Sequence, residues 1–420
     1  MATDKKKVIS DSIFLTIGNV LMRLKGLIFL PIIIAAVGMD NYGAFVQILI
    51  NPKLIIPFCT LALGMGFYRY TSKYSEDQVE DLSRDFWTVL TFSTLLSIIG
   101  ASVLYLVSPL ISEHILDGIG LASLRLSSVF VILGTVWEQL TKYMQGRKQF
   151  KFYSIYQVLY GLFPYLGFVI GVVFTGQIFY GLLYFAILES LLVIILFVLV
   201  ARHLKIVLPS LATFIHFMKY SWALLFSMLE GGLLSKADRY FVGYFLGPAA
   251  IGIYNIVYSA ANMMYVFKMP FHKYADTYLP ELWDNGERDR VRGQLKEGLL
   301  YYLVLSAGSL VLLTLYLRPA IQIILQKSVA SIDNFELLVF VTGLGILMAG
   351  MNGFYYRVIR YREQNQYQLF LETGAVVINV ALNFLLIPVL GLLGAGIATF
   401  ASYAAILVVC NLQFTIGLDR

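Results

Sequence analysis

Charge is scarce in this sequence. Aspartate, glutamate, lysine and arginine make up 13% of its 420 residues, about half the share of roughly 25% found in soluble domains. With 59% hydrophobic residues and a mean hydropathy of +0.77, that shortage excludes an ordinary water-soluble domain. Cysteine is scarcer still. Cys59 and Cys410 each sit inside an apolar block, which excludes a disulfide framework and reads as two small buried hydrophobes. Histidine is limited to His114, His203, His216 and His272, scattered along the chain, and no H-E-x-x-H motif exists. The chain also lacks a G-x-x-x-x-G-K-[ST] loop for nucleotide phosphates. No cofactor and no metal centre are expected. Loops 109–120 and 318–332 are too short to place the carboxylates that glycan transfer would need, so the chain is not expected to be an enzyme.

What the chain has in abundance is apolar sequence in blocks of about twenty residues, the length that crosses a bilayer. Twelve spans are expected near 12–37, 43–69, 86–108, 121–143, 152–174, 178–200, 219–246, 250–272, 297–317, 333–356, 367–390 and 393–416. The expected fold is an all-α multi-pass membrane protein. The basic start, MATDKKK, precedes an apolar block as in a signal peptide. However, the block from Ser12 to Val37 is too long for a signal core and carries Arg23 and Lys25, so it reads as a retained span. An even number of spans puts both termini on one side. Those termini and the loops beside them hold Lys5, Lys6, Lys7, Arg147, Lys148, Arg202, Arg290 and Arg362, among others, whereas the opposite loops hold only Arg318 and Lys327. By the positive-inside rule the termini are cytoplasmic. The net charge of +6 therefore orients the chain in the membrane and implies no nucleic-acid partner. The charged connections 70–85 and 273–296 are expected to lie along the interface as amphipathic helices.

The chain also repeats itself. GMDNYGAF (38–45) aligns with GPAAIGIY (247–254) at an offset of 209. GRKQF (146–150) aligns with YREQN (361–365) through Arg147/Arg362 and Gln149/Gln364, and GQIFYG (176–181) aligns with GLLGAG (391–396), both at an offset of 215. The repeat predicts two six-helix lobes, residues 1–205 and 206–420, related by a pseudo-two-fold axis along the membrane normal. Transporters built this way hold substrate between the halves. The glycine pairs Gly38/Gly43 and Gly247/Gly252 are expected to make tight reversals. Gly394, Ala395, Gly396 and Ala398 are expected to permit close helix contact.

Ionised groups inside spans are costly, about 2.5–3.5 kcal/mol each at a helix centre, so those present need a reason. Arg23 and Lys25 fall in the first span, Lys53 in the second, Arg125 in the fourth, Lys236 and Arg239 in the seventh and Lys268 in the eighth. The acids at similar depth are Glu138, Glu189, Glu230 and Asp238. Lys268 and Arg125 are placed to snorkel, and Glu138/Lys142 reads as an ordinary i,i+4 pair. The remaining deep cations outnumber the deep acids, and an arginine fork suits phosphate. They either bind an anion or form inter-helix ion pairs that fix packing. Pro52 and Pro57 in NPKLIIP break the second span beside Lys53, either as a hinge kink or because a wet cavity satisfies the freed carbonyls.

The stretch KADRYFVGYFLGPAAIGIYNIVYSAANM resembles the polysaccharide (O-antigen type) flippases of the multidrug/oligosaccharidyl-lipid/polysaccharide exporter superfamily. GNVLMRLKGLIFLPIIIAAVGMDNYGAF and NVALNFLLIPVLGLLGAGIATFASY are similar to the first span and last hairpin of that family. The resemblance implies two lobes around a cationic cavity in the bacterial inner membrane. It further implies movement of undecaprenyl-diphosphate-linked oligosaccharide from the cytoplasmic to the periplasmic leaflet by alternating access, for O-antigen (lipopolysaccharide) or for capsule or exopolysaccharide synthesis. Carried over to this chain, it assigns intramembrane cations Arg23, Lys25, Lys236 and Arg239 to the substrate. The expectation adds Lys53 at the diphosphate, leaves the polyprenyl tail in membrane lipid, and offers Glu189, Glu230 and Asp238 as titrating groups for H+ or Na+. Glycan polymerase and chain-length proteins are the expected partners. The alternative is a proton- or sodium-coupled multidrug or organic-cation antiporter of the same superfamily, which needs an acid-dominated cavity. A membrane-embedded glycan polymerase or transferase is a third reading, disfavoured by the short loops.

Overall fold

Backbone placed in hydrocarbon has no water to bond, so an open chain that spans it must be helical. Every regular element among the described residues is a helix. The computed structural model describes the backbone of residues 2–71, 74, 78–325, 334–362 and 364–417. It describes their side chains except at 2–17, 19–24, 26, 27, 223, 227, 229–231, 273, 277, 324, 325, 365 and 413–417. The chain forms two compact units, Met1–Gly232 and Leu233–Arg420. The first contains α1 (Ala2–Thr60), α2 (Leu63–Thr71), α3 (Val79–Ile115), α4 (Leu121–Gly146), α5 (Phe150–Thr175), α6 (Ile178–Ala201) and most of α7 (Leu211–Lys236). The second contains α8 (Asp238–Leu246), α9 (Pro248–Asn262), α10 (Tyr265–Asp284), α11 (Arg288–Leu325), α12 (Phe335–Tyr361), α13 (Asn365–Leu390) and α14 (Leu392–Gly417).

Ten helical segments among the described residues are long and apolar enough to cross a membrane. Nine coincide with expected spans 3–6 and 8–12. The tenth, Ile28–Thr60, runs the end of the first expected span into the second. The seventh expected span, 219–246, is interrupted at one residue, Ala237 between α7 and α8, whose angles stay helical at φ −64, ψ −32. In the charged connections 70–85 and 273–296, residues 273–284 belong to α10, and the later part of each belongs to the long helix that follows. Val79 already begins the 37-residue α3, and Arg288 begins the 38-residue α11, because their charged first turns continue the helical register of the apolar run behind them. At 1.5 Å per residue each is about 55 Å long, well beyond a hydrocarbon core of about 30 Å.

The outer faces suit lipid. Phe174, Ile323, Val389 and Leu106 are 74–83% exposed, while Ser93, Ser97, Thr135, Asn383, Thr399 and Ser402 are fully buried. Small residues let the helices meet backbone to backbone. A Cβ on Gly171 of α5 would lie 2.7 Å from Tyr180 O on α6, and one on Gly394 would lie 2.6 Å from Leu386 C and O on α13. Ala395 and Ala398 of α14 are fully buried, as their small size anticipated.

The sequence repeat recurs in the backbone of the two units. Gly38 breaks α1 at φ 82, ψ 174, and Gly247 separates α8 from α9 at φ 81, ψ 178. Arg147 and Arg362 end α4 and α12 at φ/ψ of −81/8 and −85/1. Gln149 and Gln364 start α5 and α13 at −86/50 and −91/44. A further pair was invisible to residue matching: Gly120 and Asn334 start α4 and α12 in the left-handed region, at 75/29 and 57/29. The pair Gly176/Gly391 shares only a positive φ, with ψ of 9 and −140. Each expected glycine pair reverses the chain through its first member alone, since Gly43 and Gly252 are helical.

Candidate functional site: a lysine-lined cavity in the first unit

Lys25 lies 13 residues before Gly38 and Lys53 lies 15 after it. With helical rise on both sides, a reversal at Gly38 puts both ammonium groups at about the same height, roughly 20 Å from the turn. Both line one cavity of about 530 Å³, together with Pro52. That is the size range of small-molecule sites, about 300–1,000 Å³. Helix α4 contributes Gly134, Trp137, Glu138, Thr141, Lys142 and Gln145. Their spacing of three and four residues is one face of a helix. Helix α5 adds Tyr153, Tyr160 and Tyr165, and α6 adds Glu189.

The wall is organised around Glu189. Tyr160 donates its hydroxyl proton to Glu189 Oε1 and stacks on Trp137 with ring centroids 3.8 Å apart and planes 7° apart. Glu189 is 6% exposed, and its Oε2 has no hydrogen-bond partner among the described residues. Lys25 and Lys53 both lie within electrostatic reach of Glu189 and of each other, and Lys25 Nζ sits 4.6 Å from the centroid of Tyr165. Glu138 and Lys142 interact electrostatically one turn apart. Spacing read that pair as ordinary, yet both face the cavity. Among the described residues the lining carries three lysines and two glutamates. Ammonium groups supply charge-assisted hydrogen bonds to phosphate or carboxylate oxygens, and the stacked rings supply a flat apolar surface beside them.

The other expected residues lie elsewhere. Arg239, expected to face substrate, is buried at 4% exposure against a fully buried Asp238. Its Nη1 donates to Asp238 Oδ1 at 2.9 Å and to Ser235 O at 2.7 Å, and its guanidinium sits 4.3 Å from the Tyr258 centroid. The physical reason is local: at the interruption beside Ala237, Arg239 satisfies a carbonyl of α7's last turn, and Asp238 neutralises a guanidinium that could not be buried alone. Asp238 is thus a counter-ion in this arrangement. Lys236 is half-buried at the end of α7, with Nζ 3.5 Å from Ser235 Oγ. The side chains of Arg23 and Glu230 lie outside the described residues. Residue reading passed over Trp137, Tyr160 and Lys142. The available signal was the polar and aromatic stripe from Gly134 to Gln145 at helical period within an apolar helix.

Fold and exposed apolar surface together define a multi-pass membrane protein. Residues 39–273 match the model of a family described as "Polysaccharide biosynthesis protein", and the chain belongs to that family, in keeping with the sequence resemblance. A relative, the probable flippase AglR of Haloferax volcanii, is 23% identical over 401 residues, covering 91% of this chain and 78% of the relative. The fold is also that of two solved transporters. The lipid II flippase MurJ, in an inward closed conformation, superposes with a TM-score of 0.73 at 15% identity, covering 96% of this chain and 87% of that one. The MATE multidrug transporter DinF-BH gives 0.73 at 14% identity, covering 98% and 95%. By description these relatives are transport proteins rather than enzymes.

Proposed function

We propose that this protein is a flippase for lipid-linked oligosaccharide, carrying undecaprenyl-diphosphate-linked units across a bacterial inner membrane by alternating access for O-antigen, capsule or exopolysaccharide synthesis. The observation that carries the reading is the cavity in which Lys25, Lys53 and Lys142 outnumber Glu138 and Glu189, in a chain of the polysaccharide biosynthesis family. Lys25 and Lys53 hold the diphosphate, joined by Arg23 from the same helix. Lys142 extends the basic wall, and the polyprenyl tail stays in lipid. Glu189, with one oxygen unpartnered, is the group that exchanges H+ or Na+ as the lysines change partner from carboxylate to phosphate. In this reading the termini are cytoplasmic, residues 1–205 and 206–420 each form a six-helix lobe, and a glycan polymerase and chain-length protein act on the exported units.

The test is a Lys25→Gln/Lys53→Gln variant expressed in a deletion strain. Surface glycan falls at least tenfold while membrane abundance stays at the wild-type level. Undiminished glycan at equal abundance refutes the cationic site.

A second reading, a cation-coupled drug antiporter, is favoured by the equal TM-scores to a flippase and to a multidrug transporter and by the buried acid in the cavity. A drug-sensitivity panel on the deletion strain separates the two. A deletion that sensitises cells to organic cations and leaves glycan intact selects the antiporter.

A further inference from the structure

A second cavity, of about 250 Å³, lies in the first unit where α5 begins and α6 ends. It is lined by Tyr143, Gln149, Phe152, Leu199, Val200, Arg202 and His203, none of which lines the lysine cavity. Among the described residues no acid lines it, and residues 139–158 and 190–212 contain neither aspartate nor glutamate. Arg202 and His203 are exposed, and Lys148 and Lys151 flank Gln149 in the chain. Gln149 precedes the 26-residue α5 and makes no side-chain cap to it, and the positive end of the helix dipole lies beside the cavity. Apolar side chains continue from the cavity along the same two helices: Phe152 and Ile155 on α5 are 38% and 44% exposed, and Ile195 and Val198 on α6 are 40% and 56% exposed. At about 30 Å³ per water the cavity holds roughly eight water-sized groups, enough for a phosphodiester and part of its glycerol.

We propose that this cavity binds the phosphodiester headgroup of an anionic phospholipid, with its acyl chains lying along Phe152, Ile155, Ile195 and Val198. Arg202 supplies a planar fork that donates two parallel bonds to phosphate oxygens, and His203 and the side-chain amide of Gln149 add further donors. Basic pockets between spans at the membrane surface hold acidic headgroups in this way. The apolar walls Leu199, Val200 and Phe152 make the site one for an amphiphile, whereas a soluble phosphate would gain nothing from them. The site is independent of what the lysine cavity transports.

The full chain in a neutral detergent tests this through its melting midpoint during titration with dioleoyl phosphatidylglycerol, dioleoyl phosphatidylcholine or inorganic phosphate. Phosphatidylglycerol raises the midpoint saturably, and the other two do not. Arg202→Gln/His203→Gln weakens the apparent affinity for phosphatidylglycerol at least tenfold, and Arg202→Lys retains more of it than the double variant. Native mass spectrometry counts one fewer retained phosphatidylglycerol on the double variant, a readout that does not depend on its melting behaviour. Equal stabilisation by phosphatidylcholine, stabilisation by inorganic phosphate alone, or an unchanged lipid count in the double variant overturns the assignment.

Discussion

Gly38 offers a clean test of how the first unit is built. Its φ of 82 and ψ of 174 lie in a region that is essentially glycine-only, where another residue costs about 1–3 kcal/mol. A Cβ there would meet nothing within 4 Å, so Gly38→Ala adds backbone strain without a clash. Gly120 is the control. Its φ of 75 and ψ of 29 are left-handed helical values that asparagine tolerates, and Asn334 occupies the matching helix start in the second unit. A Cβ on Gly120 would come no closer than 3.6 Å, to Ile48 Cδ1. For a unit of about this size 1 kcal/mol shifts the melting midpoint by roughly 2–4 °C. Gly38→Ala and Gly38→Asn should therefore each lower it by about 6 °C if the strain is near 2 kcal/mol, whereas Gly120→Asn should stay within about 2 °C. The assay is melting of the detergent-solubilised chain followed by size-exclusion chromatography. If Gly38→Asn matches Gly120→Asn, the two turns are equivalent and the reasoning from backbone region fails.

Two further outcomes follow from the packing. Asp238→Ala leaves Arg239 buried without its counter-ion and should cost about 3–5 kcal/mol, while Asp238→Leu combined with Arg239→Met removes both charges and should recover most of that loss; monodisperse yield and melting midpoint measure both, and equal losses would remove the ion pair as the cause. Gly171→Ala places a Cβ 2.7–2.9 Å from the backbone of Tyr180 and Gly181 and should cost about 1–3 kcal/mol by overpacking. Gly308→Ala in α11, where a Cβ meets nothing within 4 Å, should gain about 0.5–1 kcal/mol from helix propensity, and a shift of the same sign in both would refute the close α5–α6 contact.

Sequence reading reached furthest where the physics is local. Length and hydrophobicity set the spans, because hydrocarbon demands an apolar helix regardless of its neighbours. Arg147/Arg362 and Gln149/Gln364 matched in sequence and then in backbone angles, since helix ends are fixed by a few adjacent residues. Gly120/Asn334 escaped because two different residue types reach the same left-handed conformation. The interruption at Ala237 escaped as well: neither glycine nor proline marks it, and it is supported by the bond from Arg239 to Ser235 O.

Sequence alone determined that ionised groups occupy the spans, since composition and position are enough to show an energetic cost that something must offset. What offsets each one was decided by the tertiary structure. Lys25 and Lys53 share a cavity through a reversal at Gly38, and Trp137, Glu138 and Lys142 join them because one face of α4 is turned inward. Arg239 turns to its neighbour Asp238 and to a carbonyl of α7. Partner choice depends on distances and dielectric in three dimensions, and spacing along a helix cannot encode which charge another helix will bring.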